Sequence, residues 1–136
     1  MRVVSAVIHH SVEACWREFT DAANLTDWVP GLRYAQVMSV DDDGLPREVH
    51  FEFATTLVYS LVYSYDKPAG LVHWEPRDDE PGAVRGYASF VAVERGTQFT
   101  YALQHEQGRK AAERAIDDPR TLLDAFARWM DETPRT

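Results

Sequence analysis

The sequence predicts one α+β domain, in which an antiparallel sheet of seven strands is covered by a C-terminal helix. Strand-like alternation fills residues 32–107, and apolar residues recur with helical spacing on either side of that region. The length of 136 residues suits a single domain spanning 1–136. A chain of this size buries about 68% of its unfolded surface, which is enough for a core without disulfides.

The N-terminal segment is typical of a strand followed by two short helices. Residues 2–9 are rich in β-branched side chains, which favours a strand. Ser11 is placed to cap the following helix through its hydroxyl oxygen. A second short helix is expected over 22–27, before the Pro30-Gly31 corner. The first helix has one apolar stripe, formed by Val12, Cys15, Trp16 and Phe19.

The middle of the chain predicts six further strands, at 33–40, 47–55, 57–65, 71–75, 84–93 and 97–105. Short turns separate most of them, including Asp-Asp-Asp-Gly at 41–44, Pro-Ala-Gly at 68–70 and Glu-Arg-Gly at 94–96. Strands joined by short turns pair with their neighbours in sequence, so an antiparallel meander is expected.

The C-terminal segment returns to helical spacing and offers a cover for one face of the sheet. Proline is favoured in the first turn of a helix and aspartate at its cap, so Asp118-Pro119 predicts a fresh helix start. The alternative is one longer helix bent at Pro119. The apolar stripe comprises Ala112, Ala115, Ile116, Leu122, Leu123, Phe126 and Met130.

The charge balance disfavours polyanionic partners. There are 14 Lys and Arg residues against 22 Asp and Glu residues, for a formal net charge of −8. Nucleic acids and anionic membrane surfaces are bound through cationic side chains, so neither is an expected partner. No apolar run approaches the roughly 20 residues of a membrane span, and no signal-like segment opens the chain. The single cysteine, Cys15, allows no intrachain disulfide. A cytoplasmic location is expected.

The sequence lacks the motifs of several site types. There is no cysteine pair, no His-x-x-x-His and no His-Glu-x-x-His, so neither a metal site nor another cofactor is expected. There is also no Gly-x-Ser-x-Gly elbow and no glycine-rich phosphate loop, which disfavours hydrolases and nucleotide-binding proteins.

The side chains predicted to face the C-terminal helix are apolar and aromatic, and none is charged. Such a set forms either the wall of a ligand pocket or a filled core, and the pattern alone does not decide between them. The candidate ligand-binding residues are Phe51, Phe53, Tyr59, Leu61, Tyr63, Trp74, Phe90, Tyr101 and Leu103 on the strands, with Phe126 and Met130 on the helix.

Polar groups within this set are the candidates for chemistry. A buried phenol needs a hydrogen-bond partner, which is a ligand oxygen, a water or a backbone carbonyl. His105 shares the phase of Tyr101 on the last strand, so these two residues are the candidates for general acid–base work. The alternative for His105 is a partly exposed histidine at a strand end.

Four motifs in this order resemble a known superfamily across about the whole chain. They are Val12-Glu13-Ala14-Cys15-Trp16, the corner Trp28-Val29-Pro30-Gly31 preceded by Asp21 and Leu25, Trp74 in a late strand, and residues 96–101, Gly-Thr-Gln-Phe-Thr-Tyr. The chain resembles the START-like or Bet v 1-like (SRPBCC) superfamily, in particular its bacterial polyketide cyclase/dehydrase and lipid-transport branch. The resemblance implies a helix-grip fold, with a curved seven-stranded sheet around a long C-terminal helix and an enclosed cavity.

Three functions follow from the residues and the resemblance together. The first is a non-catalytic carrier or sensor that binds a small hydrophobic molecule, either lipid-like or aromatic and polyketide-like. The second is a polyketide cyclase/dehydrase-type enzyme, although the inward-facing set lacks the arginine that such enzymes are thought to use. The third is a co-chaperone-like interaction module. The sequence leaves open whether two copies pair through sheet edges to form a homodimer.

Overall fold

The computed structural model describes residues 2–54, 57–77, 84–105 and 118–132, with the side chain of His105 outside this description. The strands are β1 (Arg2–Ile8), β2 (Leu32–Val40), β3 (Pro46–Phe53), β4 (Val58–Asp66), β5 (Leu71–Pro76), β6 (Val84–Val93) and β7 (Gly96–His105). The helices are α1 (Val12–Phe19), α2 (Leu25–Trp28) and α3 (Pro119–Glu132), with a 3-10 turn at Ala22–Asn24 just before α2. Every predicted strand is present, with its ends within two residues of the prediction.

The strands form one curved antiparallel sheet in the order β1-β7-β6-β5-β4-β3-β2. Strands β2 to β7 form the predicted meander, and β1 joins it by pairing with β7, with Val4 opposite Tyr101. The two edge strands are therefore consecutive in the chain. The segment that links them, α1 to α2, crosses the inner face of the sheet and contacts β6, β7 and β2.

Helix α1 begins where the sequence predicts. The Ser11 side chain accepts a hydrogen bond from the Ala14 N–H at 3.1 Å, which satisfies one of the free donors of the first turn. At the other end the Thr20 hydroxyl donates to the Trp16 carbonyl at 2.8 Å. The apolar stripe between these caps turns Trp16 and Phe19 into the core.

Helix α3 begins at Pro119, in agreement with the predicted start. The Asp118 carboxylate accepts from the Arg120 N–H at 3.1 Å, and the Leu122 N–H donates to the Asp118 carbonyl at 3.0 Å. The remainder of the predicted stripe, at Ala112, Ala115 and Ile116, lies outside the described residues. The helix packs on β1 and β7 and also contacts α1 and α2.

An aromatic cluster joins the helices to the sheet, and Phe19 stands at its centre. The Phe19 ring centroid lies 5.4 Å from that of Phe126, 5.5 Å from Phe90, 5.7 Å from Trp28 and 5.8 Å from Phe99. Two of these pairs are edge-to-face, which is a favoured geometry for aromatic rings. The cluster fixes α1, α2 and α3 over β6 and β7, and so shapes the space that remains on the β3–β5 side.

Candidate functional site

A cavity of about 60 Å³ lies between the inner face of the sheet and the segment from α1 to α2, and it is partly open to solvent. One water needs at least about 10–15 Å³ of such space, whereas sites for drug-sized ligands run from about 300 to 1,000 Å³. The cavity therefore has room for a few atoms in this conformation. A larger guest must push lining side chains apart as it enters.

The cavity wall is apolar, and no charged side chain among the described residues contributes to it. Its polar side-chain groups are one threonine hydroxyl, four tyrosine hydroxyls and the indole N–H groups of two tryptophans. The lining residues are Phe19, Thr20, Ala22, Leu25, Trp28, Val29, Pro46, Val49, Phe51, Phe53, Tyr59, Leu61, Tyr63, Tyr65, Val72, Trp74, Val84, Tyr101, Leu103 and Leu122.

Most of the candidate residues on the strands meet at this cavity. Side chains alternate between the two faces of a strand, so every second residue of β3, β4, β5 and β7 faces inward. Trp74 is 4% exposed and lines the wall, while its neighbour His73 is exposed on the outer face. The candidates that line the cavity are Phe51, Phe53, Tyr59, Leu61, Tyr63, Trp74, Tyr101 and Leu103.

Three candidates occupy a different place. Phe90, Phe126 and Met130 face inward but belong to the packed core, and they do not line the cavity. Two of them pack on the ring of Phe19, whose centroid lies 5.5 Å from that of Phe90 and 5.4 Å from that of Phe126. Helix α1 thus fills the space that the sheet and α3 alone would leave open.

Of the two candidates for acid–base catalysis, the structure describes the side chain of Tyr101 but not that of His105. Tyr101 lines the cavity and is 8% exposed. The backbone of His105 pairs with Val84 at the end of β7, and its side chain falls outside the description. His50 lies on the outer face of the sheet, within hydrogen-bonding distance of Glu52 at 3.0 Å. Within the described part of the chain, no histidine lines the cavity.

The sequence interpretation missed the lining from the helical segment and several strand positions. Val49 and Tyr65 share the phase of candidates on their own strands, so the alternation contained the signal for them. The helical contribution depends on how the segment from α1 to α2 crosses the sheet, and no local pattern predicts that crossing. The lining residues outside the candidate set are Phe19, Thr20, Ala22, Leu25, Trp28, Val29, Pro46, Val49, Tyr65, Val72, Val84 and Leu122.

Two phenols in the wall, those of Tyr63 and Tyr65, are neutral near pH 7. Burial raises the pKa of Tyr63 well above its usual value, and the neighbouring Tyr101 and Tyr65 raise it further. Burial also raises the pKa of Tyr65, with a smaller contribution from Asp41. The Tyr65 hydroxyl donates to the Pro46 carbonyl. Near neutral pH these side chains are hydrogen-bond donors and not bases.

Trp28 brings a second kind of donor to the wall. The residue is 6% exposed, and its indole Nε1 is buried with no hydrogen-bond partner. A buried donor without an acceptor costs about 1–3 kcal/mol. The ring is held in place by Phe126, 5.1 Å away between centroids, and by Phe19 at 5.7 Å.

A surface groove meets the cavity beside α1. Three residues, Thr20, Ala22 and Pro46, line both the groove and the cavity. Ala23, the next residue along the 3-10 turn, lines the groove alone. The groove runs between α1 and the β2–β3 hairpin, and it adjoins the cavity at these three shared residues.

Two further features of the described ranges bear on the site. In residues 2–54, 57–77, 84–105 and 118–132, no cluster of three or more His, Cys, Asp or Glu side chains could hold a metal ion. None of the helices in these ranges is both long and apolar enough to cross a membrane.

Comparison with known proteins gives similarity in structure alone. No protein-family model matches the sequence, and no curated protein matches it. A START superfamily protein from Mycobacterium smegmatis is 13% identical, with 96% of this chain and 97% of that chain covered and a TM-score of 0.74. The Zhui aromatase/cyclase from Streptomyces sp. R1128 is 10% identical, with 99% and 96% covered and a TM-score of 0.77.

A third similar structure is the STAR-related lipid transfer protein from Xanthomonas axonopodis, in a fragment. It is 14% identical, with 96% of this chain and 85% of that chain covered and a TM-score of 0.75. Identities this low establish a common fold and leave the function to the site. The curved seven-stranded sheet, the covering C-terminal helix and these three similarities show that the chain has the START-like helix-grip fold.

Proposed function

We propose that this protein binds a small hydrophobic molecule, either lipid-like or aromatic and polyketide-like, as a non-catalytic carrier or sensor. The observation that carries the proposal is the cavity wall, which is apolar and, among the described residues, free of charged side chains. A few fixed polar groups in an apolar wall are typical of small-molecule sites. The similar folds of a lipid transfer protein and an aromatase/cyclase support a ligand of this class.

The small volume of the cavity implies that binding is coupled to movement of its walls. A guest of drug size needs several times the present 60 Å³. The helical segment from α1 to α2 supplies one wall and the sheet supplies the other, so the two must separate. Binding that requires such a change is slower than ordinary protein association.

A polyketide cyclase/dehydrase-type enzyme is the second candidate function, and the phenols of Tyr63 and Tyr101 favour it. Neutral donors in an apolar wall can orient a ketone or stabilise an enolate oxygen. We rank the carrier first because the described wall contains no His, Asp or Glu side chain, and these are the usual proton acceptors near neutral pH. Turnover of a polyketide substrate that falls in Tyr101→Phe while the fold is retained would reverse this order.

The experiment for the carrier uses two neighbouring alanines. Ala22 lines both the cavity and the groove, whereas Ala23 lines the groove alone. We expect Ala22→Trp to block the cavity and weaken binding of the neutral apolar probe N-phenylnaphthylamine by about tenfold or more. The matched variant Ala23→Trp keeps the parent affinity.

Native mass spectrometry of gently purified protein gives an independent measurement, and we expect a co-purifying apolar molecule that Ala22→Trp lacks. A parent protein that carries no such molecule and does not bind the probe contradicts the proposal. Equal affinities of the parent and Ala22→Trp place the probe outside the cavity and contradict it as well.

A further inference from the structure

Two donors in the cavity wall have no acceptor within the described part of the chain. The Trp28 side chain is only 6% exposed, and its Nε1–H has no hydrogen-bond partner. The Tyr63 hydroxyl lies in the wall near the phenols of Tyr101 and Tyr65, which raise its pKa, and it forms no hydrogen bond among the described residues. Native proteins pair nearly all buried polar groups, so the buried indole donor of Trp28 calls for an explanation.

Other polar groups of the wall are already engaged. The Thr20 hydroxyl donates to the Trp16 carbonyl at 2.8 Å, within the last turn of α1. The Tyr65 hydroxyl donates to the Pro46 carbonyl, at the start of β3. These contacts stabilise the protein itself, and a guest would have to break them to use either donor.

The two unpaired donors belong to opposite walls. Trp28 ends α2 and packs on Phe126 of α3, with 5.1 Å between ring centroids. Tyr63 lies in the middle of β4 and packs on Trp74 of β5, at 6.0 Å. A guest that separates the helical wall from the sheet therefore meets one donor on each side.

The described wall has no charged side chain, and this determines which ligands can pair with the two donors. A carboxylate would lose its hydration on entry, and the described wall has no cation to pair with it. A hydrocarbon would leave both donors unpaired. A neutral carbonyl oxygen loses less hydration than a carboxylate and accepts a hydrogen bond from an indole N–H or a phenol.

On the basis of the proposed function, we further propose that Trp28 and Tyr63 determine ligand specificity by donating hydrogen bonds to acceptor oxygens. The ligand is then a neutral carbonyl compound, such as a ketone or an ester. Free carboxylic acids and pure hydrocarbons of the same size are the guests that the site discriminates against.

The test uses three naphthalenes of similar size: acetylnaphthalene, ethylnaphthalene and naphthoic acid, measured by isothermal titration calorimetry near neutral pH. Trp28→Phe keeps an aromatic ring and removes the donor. We expect this substitution to weaken the binding of acetylnaphthalene by about five- to tenfold, which is the range for the loss of one neutral hydrogen bond. The affinity for ethylnaphthalene should change by less than about twofold. Of the three compounds, naphthoate should bind the parent protein most weakly.

Tyr63→Phe repeats the test on the opposite wall with almost no change of shape, and it carries the test if Trp28→Phe fails to fold by circular dichroism. The control is Tyr34→Phe, because Tyr34 is 45% exposed on β2 and its hydroxyl bonds to Gln36 at 2.9 Å. We expect this control to bind all three compounds as the parent does.

The possible results separate this inference from the proposed function. Equal losses for acetylnaphthalene and ethylnaphthalene in both variants would mean that shape alone selects the guest, and the inference would fail while the carrier function stood. Tightest binding of naphthoate would overturn the inference in the same way. If none of the three compounds binds the parent protein, the proposed function itself fails.

Discussion

Truncation of Phe126 tests whether α3 holds the structure together as its packing indicates. The side chain is fully buried, and its ring lies 5.0 Å from Phe99, 5.1 Å from Trp28 and 5.4 Å from Phe19 between centroids. Phe126→Ala removes these three ring contacts and leaves a cavity in the core. Changes of this kind cost about 3–5 kcal/mol, and each lost aromatic pair contributes about 0.5–1.5 kcal/mol beyond its buried area.

Urea unfolding followed by circular dichroism measures this loss. Domains have a free energy of unfolding of about 0.05–0.15 kcal/mol per residue. The loss is therefore a large share of the total stability and should clearly lower the urea concentration at the midpoint of unfolding. The slope should not change, because the same surface is exposed on unfolding. Tyr34→Ala, at an exposed position on β2, should cost less than about 1 kcal/mol. A loss below about 1 kcal/mol in Phe126→Ala would refute the described packing of α3.

Three further predictions concern stability. Because burial raises the folded-state pKa of Tyr63, its phenol favours folding below about pH 10, the unfolded value. Above that pH the contribution falls by up to about 1.4 kcal/mol per pH unit. Between pH 8 and 11 the free energy of unfolding should therefore fall less in Tyr63→Phe than in the parent protein. Equal falls in the two proteins would contradict the raised pKa of Tyr63. Gly70→Ala should destabilise the protein far more than Gly44→Ala in the same assay. Both glycines have positive φ, but a Cβ added at Gly70 clashes with the Phe90 carbonyl oxygen, whereas one added at Gly44 enters open space. Ser11→Ala should cost about 1 kcal/mol through the lost helix cap, and an unchanged urea midpoint would show that the cap does not stabilise α1.

The inward faces of the strands could be predicted from the sequence because the side-chain period of a strand is fixed at two. One aromatic residue of known direction sets the phase of its neighbours, as Trp74 and His73 show on β5. A slip of one residue would have turned the whole set to solvent. The caps at Ser11 and Asp118 were predictable for a similar reason, since each acts within four residues of chain.

The boundary between core and cavity could not be predicted in this way. Phe90 and Tyr101 both face inward and both pack against Phe19, yet of the two only Tyr101 lines the cavity. The difference depends on where α1 crosses a sheet whose relevant strands lie far along the chain. The volume of the cavity is a small difference between the large volumes of the walls and of their side chains, and no local pattern contains it.

The pairing of the first strand with the last has a consequence for synthesis on the ribosome. Strand β1 has no partner until β7 exists, because its residues pair only with that strand. The chain must therefore be synthesised through β7 before β1 can dock, and pairings this distant in sequence form slowly. Until then the backbone N–H and C=O groups of β1 lack their partner strand, and the side chain of Ile8, which is buried in the folded domain, is exposed to solvent. Apolar surface and unpaired strand edges of this kind make an incomplete chain prone to aggregation.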